Sequence, residues 1–281
     1  MFKILKRLLP DPIVRALSKS PSIRKIYSKV NRFTNYQAAL GDPIVDYNFF
    51  MYKTVGISNA YPGAVLGTSF PLGSKYADAL NGFAIKQIHE LCLDLIDALE
   101  DEKVRGGIVE FGVASGSWLN DVLGHLERTH ITREVYGFDS FEGLPEPDAK
   151  YDGIAWQKGQ YAYSLEYVQE ALRLAERKHL HLLKGWFSDS FKTPEAMEIK
   201  EISFAKVDCD LYGPAVECLD FITGRLSDGA ILMFDDWPYL ATVGETKAFM
   251  EWVPRVPQYR FEFIAFINWR IFFKVRFQPN N

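Results

Sequence analysis

Acidic residues recur in this 281-residue chain where short apolar runs end. Ala230-Ile231-Leu232-Met233-Phe234 is followed at once by Asp235 and Asp236, and Ile202 to Val207 by Asp208 and, two positions on, Asp210. Adjacent carboxylates repel, and each must be kept hydrated or paired. A solvated turn or a helix cap would account for a lone Asp-Asp pair. Four such groups at neighbouring strand ends call for something cationic among them, and an all-oxygen set suits Mg²⁺ or a similar hard ion. Asp208, Asp235 and Asp236 are therefore candidate metal ligands. Repulsion relieved by Asp235→Asn should leave the metal-free protein no less stable.

A second group of residues could hold a nucleoside-bearing cofactor. The run GIVEFGVASGS carries Glu110, Gly112 and Gly116 as E-x-G-x-x-x-G, opening a helix at Ser117. Glycines there permit a tight turn and close approach of a ligand to the backbone, although a packing turn explains the same pattern. Asp139, followed by Ser140, ends the next apolar run 27 residues past Gly112, where an acid can accept hydrogen bonds from ribose hydroxyls. A dinucleotide loop prefers G-x-G-x-x-G, and Ala114 stands where its second glycine would be. A looser loop fronted by Glu110 fits S-adenosylmethionine better than a diphosphate. Past a third run, Trp186 is placed to flank an adenine and Asp189 to reach its edge, if Trp186 is not simply core.

These residues need a scaffold that brings strand ends together. Apolar runs at 107–111, 134–138, 179–183, 202–207 and 230–234 alternate with helical patterns, which predicts a parallel sheet covered on both faces. The helices are expected from about 82 to 99, after Ser117, from Ser164 to Arg177, from Pro214 to Leu226, and near 243–253. Two strands at 260–266 and 269–277 are separated by only Ile267 and Asn268, which forces them antiparallel. The fold class is α/β: a doubly wound, mostly parallel sheet ending in an antiparallel hairpin. Ligands of such sheets sit outside the carboxyl ends of the strands. The stretch 141–163, with its glycines, prolines and aromatics, is long enough to be a lid.

With 48% apolar residues the chain can bury a full core. The three cysteines lack zinc or disulfide spacing, and no run approaches the length of a membrane span or has the form of a signal peptide, so a cytoplasmic location is expected. Residues 1–32 hold nine Lys and Arg against Asp11, a charge of +8 that leaves −12 on the remainder of a chain whose net charge is −4. Residues 1–81 are read as a basic arm and an irregular connection, and 82–281 as the catalytic domain. The arm packs on the body or on a second copy in a homo-oligomer, with peripheral contact to an anionic membrane as the alternative. The acidic body argues against nucleic acid.

The runs GGIVEFGVASGSW, VYGFDSFEGLPEPD, LLKGWFSDSF and KVDCDLYGPAVECLDFITGRLSDGAILMFDDW together resemble the macrocin O-methyltransferase family of S-adenosylmethionine- and Mg²⁺-dependent sugar O-methyltransferases. The likeness covers roughly 105–255. It implies a class I methyltransferase fold and methyl transfer to a hydroxyl of a glycosyl small molecule in natural-product or surface-glycan biosynthesis. Glu110, Gly112 and Asp139 then fall on cofactor positions, and Asp208, Asp235 and Asp236 on metal positions. Cys209, where the family has glycine, and Gly213-Pro214, where it has Glu-Ser, are departures. Asp208 or Asp210 could take the acceptor's proton. The rivals are a nicotinamide oxidoreductase, which leaves the strand-end carboxylates idle, and a non-catalytic binding module with a degenerate site.

Overall fold

The computed structural model describes residues 65–66, 77–237, 243–267 and 269–278; the basic arm and most of the irregular connection lie outside the described residues. In chain order the elements are β1 (Val65–Leu66), α1 (Ala77–Asp101), β2 (Gly107–Phe111), α2 (Ser117–Thr129), β3 (Val135–Asp139), α3 (Leu165–Ala171), β4 (Leu180–Lys184), α4 (Phe187–Ser190), α5 (Pro194–Glu198), β5 (Ile202–Val207), α6 (Tyr212–Ile222), β6 (Leu226–Phe234), α7 (Gly244–Trp252), β7 (Tyr259–Ile267) and β8 (Arg270–Phe277).

The strands form one sheet in the order β1-β7-β8-β6-β5-β2-β3-β4. β2 to β6 are parallel, and β8 runs antiparallel to both β6 and β7, as the two-residue connection requires. The order reverses between β2 and β5, so the crevice of the doubly wound sheet opens at their carboxyl ends.

Alternation along the central strands divides the core. Val109, Phe111, Ala205, Val207, Leu232 and Phe234 face α6 and α7, whose Leu219, Phe221, Phe249 and Trp252 complete an aromatic layer. Ile108, Phe204, Ile231 and Met233 face the other way, against Leu95, Leu99, Trp118 and Leu119 of α1 and α2. The central apolar runs read as strands are thus buried on both faces, as a covered parallel sheet demands, while β4 at the sheet edge leaves His181 and Leu182 half-buried and Lys184 exposed.

Four local expectations are corrected. β6 begins at Leu226, not 230: Gly229 takes φ +88, and the pairing with β5 shifts register between Ile202 and Phe204, which lets Leu226 to Asp228 join the strand. Ser117 is the first residue of α2 rather than its cap, and Gly116, at φ +79, occupies the cap position. Ser164 caps α3 through Oγ, accepting from Tyr167 N at 3.2 Å, but the helix stops at Ala171 because Arg173 turns to φ +48 before a short 3₁₀ segment at Leu174–Glu176. Val65–Leu66, within the stretch read as irregular, pairs with Ala265 and Phe266 and so covers the open edge of β7.

Candidate active site

The carboxyl ends of the central strands finish level. Gly112 N donates to Phe138 O, Asp208 N to Phe111 O and Asp235 N to Val207 O, each at 2.9 Å. These last rungs of the ladder bring three residues far apart in the chain to one rim. Phe234 and Trp237, both buried, bracket the acidic pair, and Trp237 N is tied to Trp269 O of the hairpin turn at 2.8 Å. Asp235 and Asp236 are therefore fixed between two aromatic anchors.

A cavity of about 530 Å³ opens over this rim, within the size range of small-molecule sites. Of the candidate residues, Gly112, Asp139, Ser140, Trp186, Asp208, Asp210, Asp235 and Asp236 line it. Glu110, Gly116 and Asp189 do not. Gly116 lies behind the loop, where an added Cβ would press on Leu172, and Asp189 is exposed on α4 while its neighbours Phe187 and Ser188 face the cavity. Gly112 adopts φ +89, and a Cβ there would stand 1.8 Å from Asp208 O. This glycine is demanded by both conformation and close approach of the two strand ends.

Asp139 is occupied by the loop itself. Its Oδ2 accepts from Val113 N at 2.7 Å and Ala114 N at 3.0 Å, and its Oδ1 accepts from Phe141 N at 2.6 Å. Ala114 and Phe141 both have positive φ, at 46° and 58°. The carboxylate thus holds two residues in the sparsely populated left-handed region. Ser140 Oγ donates to Gly143 O and accepts from Glu142 N, shaping the start of the 141–163 stretch, from which Leu144, Pro145, Gln160 and Tyr161 reach the cavity wall.

The carboxylate cluster is partly neutralised from inside the protein. Lys206, in the middle of a buried strand, lies opposite Glu110 on β2. Its Nζ donates to Glu110 Oε1 at 2.8 Å and Asp208 Oδ2 at 2.5 Å, and stands 3.8 Å from Asp235. Arg270, at the start of β8, donates to Asp235 Oδ2 at 2.6 Å. Glu110 is accordingly a buried hydrogen-bond partner of Lys206 beneath the cavity, and its Oε2 has no hydrogen-bond partner among the described residues. The sequence offered a signal for Lys206, a lone lysine inside an otherwise apolar run. It offered none for Arg270, which lies 35 residues beyond its partner.

The acids consequently differ in kind. Burial would raise Asp235, but Lys206 and Arg270 outweigh it and hold that carboxyl below the usual range. Asp236 is raised, by burial and by Asp235 beside it. Burial, then Asp236 and Asp208, pushes Asp210 up to about 10, so at neutral pH it is protonated and bonded to Asp236. Asp208 is pushed up to about 7 by burial and Asp235, against the pull of Lys206. Burial likewise takes Glu110 up to about 8. Lys206 keeps its charge despite burial because Asp208 and Glu110 outweigh that penalty. The repulsion expected at Asp235 is thus found at Asp236, Asp208 and Asp210 instead.

One carboxylate oxygen each from Asp208, Asp235 and Asp236 can be chosen such that all lie within 4.8 Å of one another. Three hard oxygen donors, two of them raised by mutual repulsion and burial, fit a divalent cation of the Mg²⁺ class.

Residues 83–253 match the family model described as macrocin-O-methyltransferase (TylF). The chain belongs to the macrocin-O-methyltransferase family. It is 29% identical over 162 residues to the 8-demethyl-8-(2,3-dimethoxy-alpha-L-rhamnosyl)-tetracenomycin-C 4'-O-methyltransferase of Streptomyces olivaceus, which takes in 53% of this chain and 58% of that enzyme. The match therefore spans little more than half of the curated relative. Among solved structures, the O-methyltransferase NovP is similar with 23% identity and a TM-score of 0.56 over 68% of this chain and 79% of that one. CalS11, a calicheamicin methyltransferase, is 21% identical with a TM-score of 0.57 over 82% and 91%. Both likenesses carry the fold. The family match includes every acidic residue of the rim and stops before the hairpin, so Arg270 is outside it. Among the described residues, no helix is long and apolar enough to cross a membrane.

Proposed function

We propose that this member of the macrocin-O-methyltransferase family is an S-adenosylmethionine- and divalent-cation-dependent O-methyltransferase acting on a hydroxyl of a sugar or sugar-bearing small molecule. The observation that carries this reading is the convergence of Asp208, Asp235 and Asp236 on the cavity that Gly112 and Asp139 also line. The relative from Streptomyces olivaceus, named for methylating a tetracenomycin glycoside, supports the acceptor class.

When bound, S-adenosylmethionine supplies an electrophilic methyl group, and a Mg²⁺ ion makes an acceptor hydroxyl easier to deprotonate and orients it. The chain's own residues do the rest. Gly112 leaves room where the ends of β2 and β5 approach, while Asp139 keeps the 113–114 turn in shape for a ligand to approach its backbone. Asp208, Asp235 and Asp236 would hold the ion. Asp208 reaches about 7 only in the metal-free chain, and an ion held there would lower that value and weaken it as a base, whereas Asp210 already carries a proton. Lys206 and Arg270 keep Asp235 ionised so that the cluster retains a negative charge. Direct displacement needs the acceptor oxygen in line about 3 Å from the methyl group. The walls contributed by Trp186, Leu144 and Tyr161 restrict how a sugar can lie.

The basic segment 1–32 carries charge opposite to the rest of the chain, which supports packing against a second copy in an oligomer. Calorimetry with S-adenosylhomocysteine and with NAD, each with and without Mg²⁺, tests the cofactor. Methyl transfer to rhamnosides, followed by mass spectrometry in Mg²⁺ and in EDTA, tests the reaction. Binding of NAD in place of S-adenosylhomocysteine, or full turnover in EDTA, would overturn the reading.

A further inference from the structure

Glu245, in the first turn of α7, is completely buried. Among the described residues no basic side chain pairs with it. The ionisable groups that act on it, Cys209, Asp236 and Asp208, all disfavour its negative charge. A buried carboxyl in such surroundings is expensive and needs a compensating set of hydrogen bonds. The set it has is made of backbone: Oε1 accepts from Cys209 N at 3.0 Å and Asp210 N at 3.2 Å, and Oε2 accepts from Asp236 N at 3.1 Å.

Those three N–H groups belong to the two loops that carry the acids. One side chain therefore spans the tips of β5 and β6, binding the turn after Asp208 with one oxygen and the Asp235-Asp236 pair with the other. The turn needs holding. Asp210 sits at φ +62, in the left-handed region that a residue with a Cβ occupies only when its surroundings over-determine it. Glu245 is itself immobilised, because Ala248, Phe249 and Trp252 anchor α7 in the core and Gly244 N donates to Tyr151 O at 2.7 Å. A glutamine of the same length does not do the same, because it would turn an amide N–H toward a backbone N–H.

We propose that Glu245 is the positioning residue of the carboxylate cluster, setting the separation of Asp208 and Asp236 from behind without touching a bound ion. This rests on the reading of the cluster as a divalent-cation site. The test measures Mn²⁺ binding to the full chain by calorimetry for the wild type, Glu245→Gln and Glu245→Asp, with S-adenosylhomocysteine affinity and circular dichroism measured on the same samples. Asp keeps both carboxyl oxygens but shortens the reach. Both variants are expected to bind Mn²⁺ at least about tenfold more weakly, with S-adenosylhomocysteine affinity within about twofold of wild type and the spectrum unchanged. A folded variant with wild-type Mn²⁺ affinity overturns the inference while leaving the cation site standing. A wild type that binds no Mn²⁺ removes the cation site and the inference with it. Failure of both variants to fold would assign Glu245 to stability alone and also count against the proposal.

Discussion

Asp235 and Asp236 are adjacent in sequence and alike in chemistry, yet the structure predicts opposite consequences for replacing them in the metal-free chain. Asp235 is held by Arg270 at 2.6 Å and lies 3.8 Å from Lys206, with its side chain only 13% exposed. Hydrogen bonds to charged groups contribute about 1.5–3 kcal/mol, and breaking a fully buried pair costs about 3–5. Arg270 retains 25% exposure, so Asp235→Asn should cost about 1–3 kcal/mol. Among the described residues no cation lies within ion-pair distance of Asp236: burial and Asp235 raise it by more than the Asp210 hydrogen bond, Arg270 and Lys206 lower it, and Asn keeps an oxygen for the Asp210 proton. Asp236→Asn should therefore be neutral or stabilising by up to about 1 kcal/mol. Urea unfolding in EDTA at pH 8 reads the difference. For a slope of about 2 kcal/mol per molar, a gap of about 2 kcal/mol separates the two midpoints by about 1 M. Both variants should lose Mg²⁺-dependent turnover. Equal midpoints would refute the division of the cluster into a paired acid and repelled acids.

The metal-free chain should lose stability as pH rises from about 6 to 8.5. Asp208 and Glu110 have folded values, about 7 and about 8, above their ordinary ones, so their contribution is complete below the ordinary values and disappears as pH rises through the folded ones. Thermal melts in EDTA check the slope, and Mg²⁺ should raise the midpoint more at pH 8 than at pH 6; a melting point that climbs over this range without metal would sink the assignment. Gly112→Ala should cost more than about 3 kcal/mol, since it combines a strained φ with a clash against the Asp208 carbonyl, and a wild-type melting point would contradict the close approach of the ends of β2 and β5. Asp139→Asn should weaken both S-adenosylhomocysteine binding and the fold, each by about 1–2 kcal/mol, because one side-chain oxygen becomes a donor facing backbone N–H groups. Lowered affinity with unchanged stability would instead make Asp139 a cofactor ligand alone.

The sheet was legible because its central strands are buried on both faces, which leaves each as a short apolar run bounded by polar residues. The acids at the strand ends were legible for the same reason, since a carboxylate cannot continue such a run without being paired. What remained hidden was whatever depends on which strands are neighbours and how they are registered. Lys206 and Glu110 are 96 residues apart in the chain and become a pair only when β2 lies beside β5 with those two positions opposite. Arg270 and Glu245 come from a hairpin and a helix that follow the cluster in sequence, and nothing in their local pattern points back to it. The same dependence explains the bulge at Gly229, whose role appears only against the register of β5. Two of the hidden residues share a trait: a charged group at a position otherwise reserved for apolar ones. Lys206 in β5 and Glu245 on the buried side of α7 both break the pattern of their own element. Burying an ionisable group is costly enough that such a break signals a partner elsewhere in the fold. Here both breaks lead to the same rim, one supplying its countercharge and the other its spacing.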